Sequence, residues 1–266
     1  MGRFEGDFYS ERLGFTTRLD VIFPDASNDV TPVQFGGPKV LYLLHGLSGS
    51  SGEWTRFSKI EYYAKKYNFI IIMPEVQRSF YCDVPGGPAY FSYVTQELPD
   101  ICEKWFRLDG RRENTYIAGE SMGGYGAFKA ALCCPERYEA AASLSGVLDY
   151  RLLCRRVLNG EWSDVSSAEL YALHGPTGLP GVENDLLDLV EQAAKLPEQP
   201  RLIQLCGTED FLYEANKNFR RVAAEAGCNL TWREAPGDHE WPYWDKAIQY
   251  AFQFFCGLDL DTTTIY

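Results

Sequence analysis

The sequence lacks any apolar run long enough to span a membrane, and its first residues, Met1 to Asp7, are polar and acidic rather than the apolar core of a signal peptide. These absences predict a cytoplasmic protein. Basic residues are also in deficit, with 25 Lys and Arg against 37 Asp and Glu and a formal net charge of −12. Such a surface repels polyanions, so we expect neither nucleic acid nor an anionic membrane as a partner, and a neutral or cationic substrate is admitted more easily.

Paired cysteines and metal-type spacings are missing as well. The eight cysteines are scattered, none forms Cys-x-x-Cys, and several lie inside apolar patterns, where a free thiol behaves as a small hydrophobic side chain. They are therefore predicted to be reduced and structural, and neither a metal nor a cofactor is expected. Internal repeats, low-complexity blocks and Ser/Pro-rich linkers are absent too, which favours a single domain over residues 1–266.

What the sequence does contain is an alternation of buried strands and helices. Two strands between Phe4 and Phe23 are predicted to form an antiparallel edge hairpin, because apolar and polar residues alternate in the second of them. Short apolar runs predict buried strands near 39–45, 69–74, 115–118, 138–146 and 201–207. Together they predict an α/β fold with a mostly parallel central sheet and helices on both faces. The segment 147–199 has no buried-strand signal and is predicted to be a small insertion at the active-site rim.

Helices are predicted between these strands. Two of them span about 54–67 and 90–106, and Pro99 inside the second should kink it or mark a restart. Two more are predicted over 212–226, closed by Gly227, and over 241–255, with Pro242 suited to the first turn.

The stretch from Asn114 to Phe128 is typical of a strand, a sharp turn and the start of a helix, with Gly119-x-Ser121-x-Gly123 at the turn. That pattern describes a serine on a strained corner whose hydroxyl is exposed at the end of a sheet. Glycines fit there because larger side chains would strike the neighbouring strand and helix. The helix N-terminus would face the negative charge that develops in acyl transfer. Ser121 is therefore a predicted nucleophile, and the alternative of a glycine-rich turn beside a buried serine depends on whether a base and an acid follow.

A serine nucleophile needs a base, and the sequence has only three histidines. His45 ends a strand before a glycine-rich loop, where an oxyanion donor is expected rather than the base. His174 lies in the irregular insertion. His239 lies in a loop between the last strand and the last helix, which makes it the predicted base, against the alternative of a surface or capping histidine.

The acid that orients this base is expected after the strand that ends at Gly207. Asp210 is the first choice, although an aspartate there could also cap the following helix. Glu209 is the second choice. Asp238 is less attractive, because neighbouring side chains on one loop rarely meet in triad geometry.

The chain order Ser121, Asp210, His239 is that of the α/β-hydrolases and differs from the orders of the two other large serine-hydrolase architectures. All three residues follow predicted strands, so they should meet at the carboxyl-terminal rim of the sheet. The oxyanion hole is then predicted from the backbone N–H groups of Met122, directly after the serine, and of Leu47, in the loop after His45.

Four stretches give this pattern a specific resemblance. The residues 43–49 (LLHGLSG), 118–127 (AGESMGGYGA), 206–213 (CGTEDFLY) and 237–241 (GDHEW) resemble the esterase D superfamily, and within it the tributyrin esterase or acetyl esterase branch. The resemblance covers about residues 4–255. It implies a carboxylesterase that acts on short acyl chains, acetyl to butyryl, through an acyl-enzyme on Ser121, with acetylated sugars among the candidate substrates. Relatives of this kind are often homo-oligomers, which is an expectation here too.

Several other functions share this fold and triad. A feruloyl or cinnamoyl esterase is the main alternative, in which Trp54, Tyr81 or Trp162 would stack on an aromatic acyl group. An S-formylglutathione hydrolase is disfavoured, because that branch usually has His at the position of Tyr125. An acyltransferase, in which a sugar hydroxyl replaces water, and a non-catalytic binding protein complete the alternatives. A panel of acetate, butyrate, octanoate and ferulate esters is expected to separate the short-chain esterase from the feruloyl esterase, and product analysis with added glycerol or sugar acceptors addresses the acyltransferase.

Overall fold

The computed structural model describes residues 1–25 and 37–261, and one eight-stranded sheet runs through it. The strands are Gly2–Ser10 (β1), Phe15–Phe23 (β2), Lys39–Leu44 (β3), Phe69–Pro74 (β4), Thr115–Glu120 (β5), Ala140–Leu144 (β6), Arg201–Gly207 (β7) and Leu230–Ala235 (β8). Their order across the sheet is β1-β2-β4-β3-β5-β6-β7-β8. The hairpin β1–β2 is antiparallel and lies at one edge, β2 is antiparallel to β4, and the remaining pairs are parallel. The predicted mostly parallel sheet with an edge hairpin is confirmed.

Ten α-helical segments accompany the described strands. They are Glu53–Phe57 (α1), Ile60–Tyr67 (α2), Tyr90–Ser92 (α3), Leu98–Phe106 (α4), Met122–Cys133 (α5), Tyr150–Leu158 (α6), Ser167–His174 (α7), Leu186–Ala193 (α8), Tyr213–Ala226 (α9) and Trp241–Phe255 (α10). Single 3-10 turns occur at Arg112–Asn114, Gly175–Thr177 and Val182–Asn184. None of the helices in the described ranges is both long and apolar enough to cross a membrane.

Side chains of the central strands alternate between two separate cores, as the two-residue period of a strand requires. Val40, Tyr42 and Leu44 of β3 pack with α4, α5, α8 and α9 on one face. Leu41 and Leu43 pack with α1, α2 and α10 on the other. Burial of both faces accounts for the continuous apolar runs in the sequence and confirms the predicted helix layers.

The register brings the ends of the central strands to one rim. Leu44 pairs with Gly119, Glu120 with Leu144, and Gly207 with Ala235, so the loops after β3, β5, β7 and β8 leave the sheet side by side. The site lies at this rim.

Two predicted helices differ in detail. The helix predicted over 54–67 is two helices, because Ser58 is extended between α1 and α2 and its hydroxyl binds the Trp54 carbonyl at 2.5 Å. The helix predicted over 90–106 passes through a wide π-helical turn at Tyr93–Glu97 and restarts at Leu98, next to Pro99, which confirms the predicted restart.

The segment 147–199 has a double role that its pattern did not reveal. It contains no strand in the described structure, as predicted, and it contributes residues between 147 and 165 to the rim. Its last helix, α8, instead packs against α5 and α9 and belongs to the helix layer. Only the first part of the segment is therefore a rim insertion.

Candidate active site

Ser121 lies at the corner between β5 and α5 with φ 54° and ψ −118°, a left-handed backbone conformation that is strained for a non-glycine residue. The corner closes only with glycine on either side. A β-carbon at Gly119 would lie 2.5 Å from the Gly123 carbonyl carbon, and one at Gly123 would lie 2.5 Å from the Leu44 carbonyl oxygen. The two glycines of the motif thus allow β5, α5 and the end of β3 to approach one another.

Ser121, His239 and Asp210 form one hydrogen-bonded chain. His239 Nε2 lies 2.9 Å from Ser121 Oγ, and His239 Nδ1 lies 2.9 Å from Asp210 Oδ2. Asp210 is 4% exposed, and its other oxygen accepts the Leu212 N–H at 2.8 Å. Because a carboxylate accepts at Nδ1, that nitrogen carries the imidazole proton, and Nε2 is left to accept the proton of the serine hydroxyl.

The other candidates for base and acid lie elsewhere. His174 contacts the Tyr150 hydroxyl at 2.8 Å, and burial, with the nearby Lys129 charge, lowers its pKa to about 4. Glu209 accepts the Gly237 N–H at 2.6 Å and so anchors the loop that carries His239. Glu209, the second-choice acid, therefore stabilises the loop that carries His239 but does not bind the imidazole of His239.

Two aromatic side chains enclose the imidazole of His239. The Phe211 ring lies 4.4 Å from it, and the Trp244 ring meets it edge to face at 4.9 Å. These contacts restrict the ring to the orientation that joins Ser121 and Asp210. Phe211 follows Asp210 directly in sequence, so its place beside the site could have been inferred from that of the acid.

The predicted oxyanion donors also meet at the site. Leu47 and Met122 both line the cavity over Ser121. Within the described chain, no acceptor binds the backbone N–H of either residue. Met122 is the first residue of α5, so its N–H is one of those that a helix leaves free at its start.

A cavity of about 660 Å³ opens above the serine. Six of its residues come from the loop after β3, the start of α1 and the end of β5, and we refer to them as the oxyanion wall: Gly46, Leu47, Ser48, Gly49, Glu53 and Glu120. Five come from the segment 147–199, and we refer to them as the insertion wall: Val147, Leu153, Trp162, Asp164 and Val165. The other lining residues are Arg78, Phe80, Ser121, Met122, Phe211, Leu212, His239, Glu240, Trp241 and Trp244.

Of the three aromatic residues predicted to contact substrate, only Trp162 lines the cavity, where it packs on Phe211 at 4.8 Å. The prediction for the other two is wrong. Trp54 is fully buried, donates its Nε1–H to the Leu44 carbonyl at 3.1 Å and packs edge to face on Trp241. Tyr81 is also buried, and its hydroxyl binds the His45 carbonyl at 2.8 Å. Both side chains satisfy backbone acceptors beneath the site and cannot reach a ligand.

Sequence reasoning missed the two glutamates of the oxyanion wall. Glu120 is 2% exposed, and burial raises the pKa of its carboxyl well above the ordinary range, with a smaller contribution from the negative charge of Glu53. Burial likewise raises the pKa of Glu53. Glu120 is the variable residue of Gly119-x-Ser121, so the motif itself placed it beside the nucleophile. No group of three or more His, Cys, Asp or Glu side chains in the described ranges could hold a metal ion.

Comparison with known proteins agrees with this geometry. The Esterase family model matches residues 10–255. The acetyl esterase of Caldicellulosiruptor saccharolyticus is 28% identical over 257 residues, which cover 93% of this chain and 96% of that protein.

Two solved structures from Staphylococcus aureus are similar over nearly their whole length. The fluorophosphonate-binding serine hydrolase FphF is 32% identical with a TM-score of 0.82, and S-formylglutathione hydrolase FrmB is 31% identical with a TM-score of 0.81. Each match covers 96% of this chain and 98% of the other. These matches confirm the predicted α/β-hydrolase fold and the predicted enzyme class, a serine hydrolase of carboxylic esters. The chain belongs to the Esterase family.

Proposed function

We propose that this protein is a carboxylesterase for short acyl chains, acetyl to butyryl, in which Ser121 is the nucleophile, His239 the general base and Asp210 the acid that orients it. The observation that carries the proposal is the continuous hydrogen-bonded chain from Ser121 Oγ through His239 to Asp210 at the floor of the cavity. The similarity to an acetyl esterase supports the acyl range.

In the acylation step, His239 Nε2 takes the hydroxyl proton as Ser121 Oγ attacks the ester carbonyl carbon. The carbonyl oxygen gains negative charge, which the N–H groups of Leu47 and Met122 stabilise. His239 then gives its proton to the departing alkoxide, and the acyl group stays on Ser121. Water repeats the cycle in deacylation and releases the acid, so protons and charge balance over the two steps.

The apolar and charged residues of the cavity walls indicate which acyl chains and alcohols the cavity accepts. Val147, Leu153 and Val165 present apolar surface that suits a short acyl chain. Asp164 and Glu240 add carboxylates to the lining, and the one cationic side chain among the lining residues, Arg78, is paired with Glu169 at 2.6 Å. Neutral or cationic alcohols therefore fit this cavity better than anionic ones.

An ester of an aromatic acid is the second candidate, because Trp162 and Phe211 form an aromatic pair on the cavity surface. Such a pair could stack on a feruloyl group. Phe211 of this pair also packs on His239, so its presence has a structural reason as well.

A panel of 4-nitrophenyl acetate, butyrate and octanoate, methyl ferulate and S-formylglutathione tests the proposal. We expect the highest kcat/KM for acetate or butyrate and at least about tenfold less for octanoate, since a pocket discriminates roughly 10–200-fold per misfitted group. Ser121→Ala is the control and should lose on the order of 10⁴–10⁶ in kcat. A preference for ferulate would establish the second candidate, and the highest kcat/KM for S-formylglutathione would replace both. Turnover by the alanine variant would contradict the nucleophile.

A further inference from the structure

Three consecutive backbone carbonyls precede the proposed oxyanion donor, the N–H of Leu47, and each accepts a hydrogen bond from a buried side chain. The bonds join Trp54 Nε1 to Leu44 O at 3.1 Å, Tyr81 Oη to His45 O at 2.8 Å, and His45 Nδ1 to Gly46 O at 2.7 Å. None of the three donor side chains is more than 1% exposed. The segment that leads to the oxyanion donor is thus fixed by side chains from three separate places in the sequence.

The protonation of His45 follows from its partners. The Val76 N–H donates to Nε2 at 3.1 Å, so Nε2 is an acceptor and the ring proton lies on Nδ1, where it binds the Gly46 carbonyl. The Glu75 carboxylate lies farther from Nε2, at 3.4 Å, and accepts two backbone N–H groups instead. The imidazole of His45 is therefore a neutral connector between two backbone groups.

The hydrogen bond from His45 to the Gly46 carbonyl affects the direction of the Leu47 N–H. The C=O of Gly46 and the N–H of Leu47 belong to one planar peptide unit and point in opposite directions. Whatever holds the carbonyl on the side of His45 therefore directs the N–H to the other side, where Leu47 borders the cavity. The preceding peptide unit is also held, since the Tyr81 hydroxyl donates to its carbonyl, that of His45, at 2.8 Å.

We propose that Tyr81, His45 and Trp54 are positioning residues for the oxyanion hole: they fix the peptide planes before Leu47 so that its N–H points at the developing oxyanion. This inference rests on the proposed function, because it assumes that Leu47 donates to the oxyanion. The three residues contact no substrate, and their effect passes through the backbone. Preorganised donors stabilise the transition state because they need no reorientation during the reaction.

Tyr81→Phe is the most conservative test, because it removes only the hydroxyl that binds the His45 carbonyl. Loss of a whole oxyanion donor costs on the order of 10²–10³ in rate, and a misdirected donor should cost less, about tenfold in kcat. KM should stay within about twofold, since the ground-state ester hardly uses this hydrogen bond. Tyr138→Phe is the matched control: Tyr138 is equally buried, its hydroxyl has no partner among the described residues, and we expect its kcat to be unchanged.

A pair of variants at His45 separates positioning from packing. The Asn amide nitrogen can occupy the place of Nδ1 and donate to the Gly46 carbonyl, whereas Ala cannot. We therefore expect His45→Ala to lose more kcat than Tyr81→Phe, and His45→Asn to recover at least about threefold of that loss. Equal kcat for the two variants, at equal melting temperature, would contradict the proposed role of this hydrogen bond.

The decisive readout is the inhibition constant of a trifluoromethyl ketone that Ser121 converts into a charged hemiketal. Its Ki should rise in proportion to the fall in kcat/KM across these variants, because both report the stability of the oxyanion. All kinetics are measured below the melting transition found by circular dichroism. Wild-type kcat and Ki in Tyr81→Phe, with Ser121→Ala inactive, would overturn the positioning role and leave the proposed function intact. Activity in Ser121→Ala would instead overturn the proposed function.

Discussion

The two walls of the cavity are built in different ways. The oxyanion wall follows a buried strand, and the carbonyls that lead into it are held by Trp54, Tyr81 and His45. The insertion wall is held at its rim by side chains that are partly exposed. Arg78 donates hydrogen bonds to the Asp164 carbonyl and to Glu169, and Trp162 packs on Phe211. The wall next to the reacting atoms is thus held through its backbone by buried side chains, whereas the rim of the wall next to the rest of the ester is held by partly exposed side chains.

This difference separates two kinds of mutational effect. A change in the triad or under the oxyanion wall should slow every ester by the same factor, because all esters share one reacting group. A change in the insertion wall should slow different esters by different factors, because it alters contacts with groups that vary. Variants of the triad and of the insertion wall therefore separate the two effects.

Asp210→Asn should have the largest effect. The amide would present a donor to His239 Nδ1 and so favour the wrong tautomer, with a loss on the order of 10⁴ in kcat for acetate and butyrate alike. Glu209→Gln is the matched control, because Glu209 accepts the Gly237 N–H and the amide oxygen of Gln can still accept that bond. We expect it to stay within about tenfold of wild type. The reverse result, measured by steady-state kinetics, would move the acid to Glu209.

Trp162→Ala should have a smaller and selective effect. Its loss removes apolar surface from the insertion wall, so kcat/KM for butyrate should fall about tenfold while that for acetate changes by less than about threefold. Trp105→Ala provides the control, since Trp105 is 48% exposed and packs on Phe8, outside the cavity lining. An equal fall in kcat/KM for butyrate and acetate would show that the insertion wall affects the reacting atoms and not only the acyl chain.

Glu120→Gln should change the pH dependence of stability. Because burial raises the pKa of this carboxyl, the folded protein keeps the proton at pH values where the unfolded chain has lost it. Stability is therefore lost as pH rises above about 4.5 toward the folded pKa, and a neutral Gln removes that loss. We expect the melting temperature of the variant to gain on wild type by roughly 2 °C per pH unit as the pH rises above about 5, until Glu120 ionises in the folded wild-type protein.

Glu214→Gln is the control for this series, since Glu214 is 80% exposed. Its melting temperature should follow that of wild type at every pH. A difference between Glu120→Gln and wild type that does not change with pH would show that Glu120 is already ionised in the folded protein.

The sequence predicts the corner at Ser121 because that corner depends on local backbone geometry. It predicts the arrangement of Ser121, Asp210 and His239 because that arrangement follows from their order in the chain. Gly119 and Gly123 are required because a side chain at either position would collide with neighbouring backbone atoms, and the same close approach recurs wherever this corner is built. The buried strands were also predictable, because burial on both faces leaves a continuous apolar run.

The pocket could not be predicted in the same way. Trp54 and Tyr81 occur in polar, glycine-rich surroundings, where an aromatic side chain can face either the cavity or the interior. Their direction is set by the carbonyls of Leu44 and His45, to which they donate hydrogen bonds and whose positions only the folded backbone reveals. The same holds for the segment 147–199, in which α8 turns away to pack on α5 and α9.

Transfer of the acyl group through Ser121 is tested most directly by mass spectrometry of the protein quenched in acid during turnover of 4-nitrophenyl acetate. We expect one acetyl group on the peptide that contains Ser121 and none on the corresponding peptide of Ser121→Ala. An acetyl group on another residue, or turnover by Ser121→Ala at the wild-type rate, would contradict it.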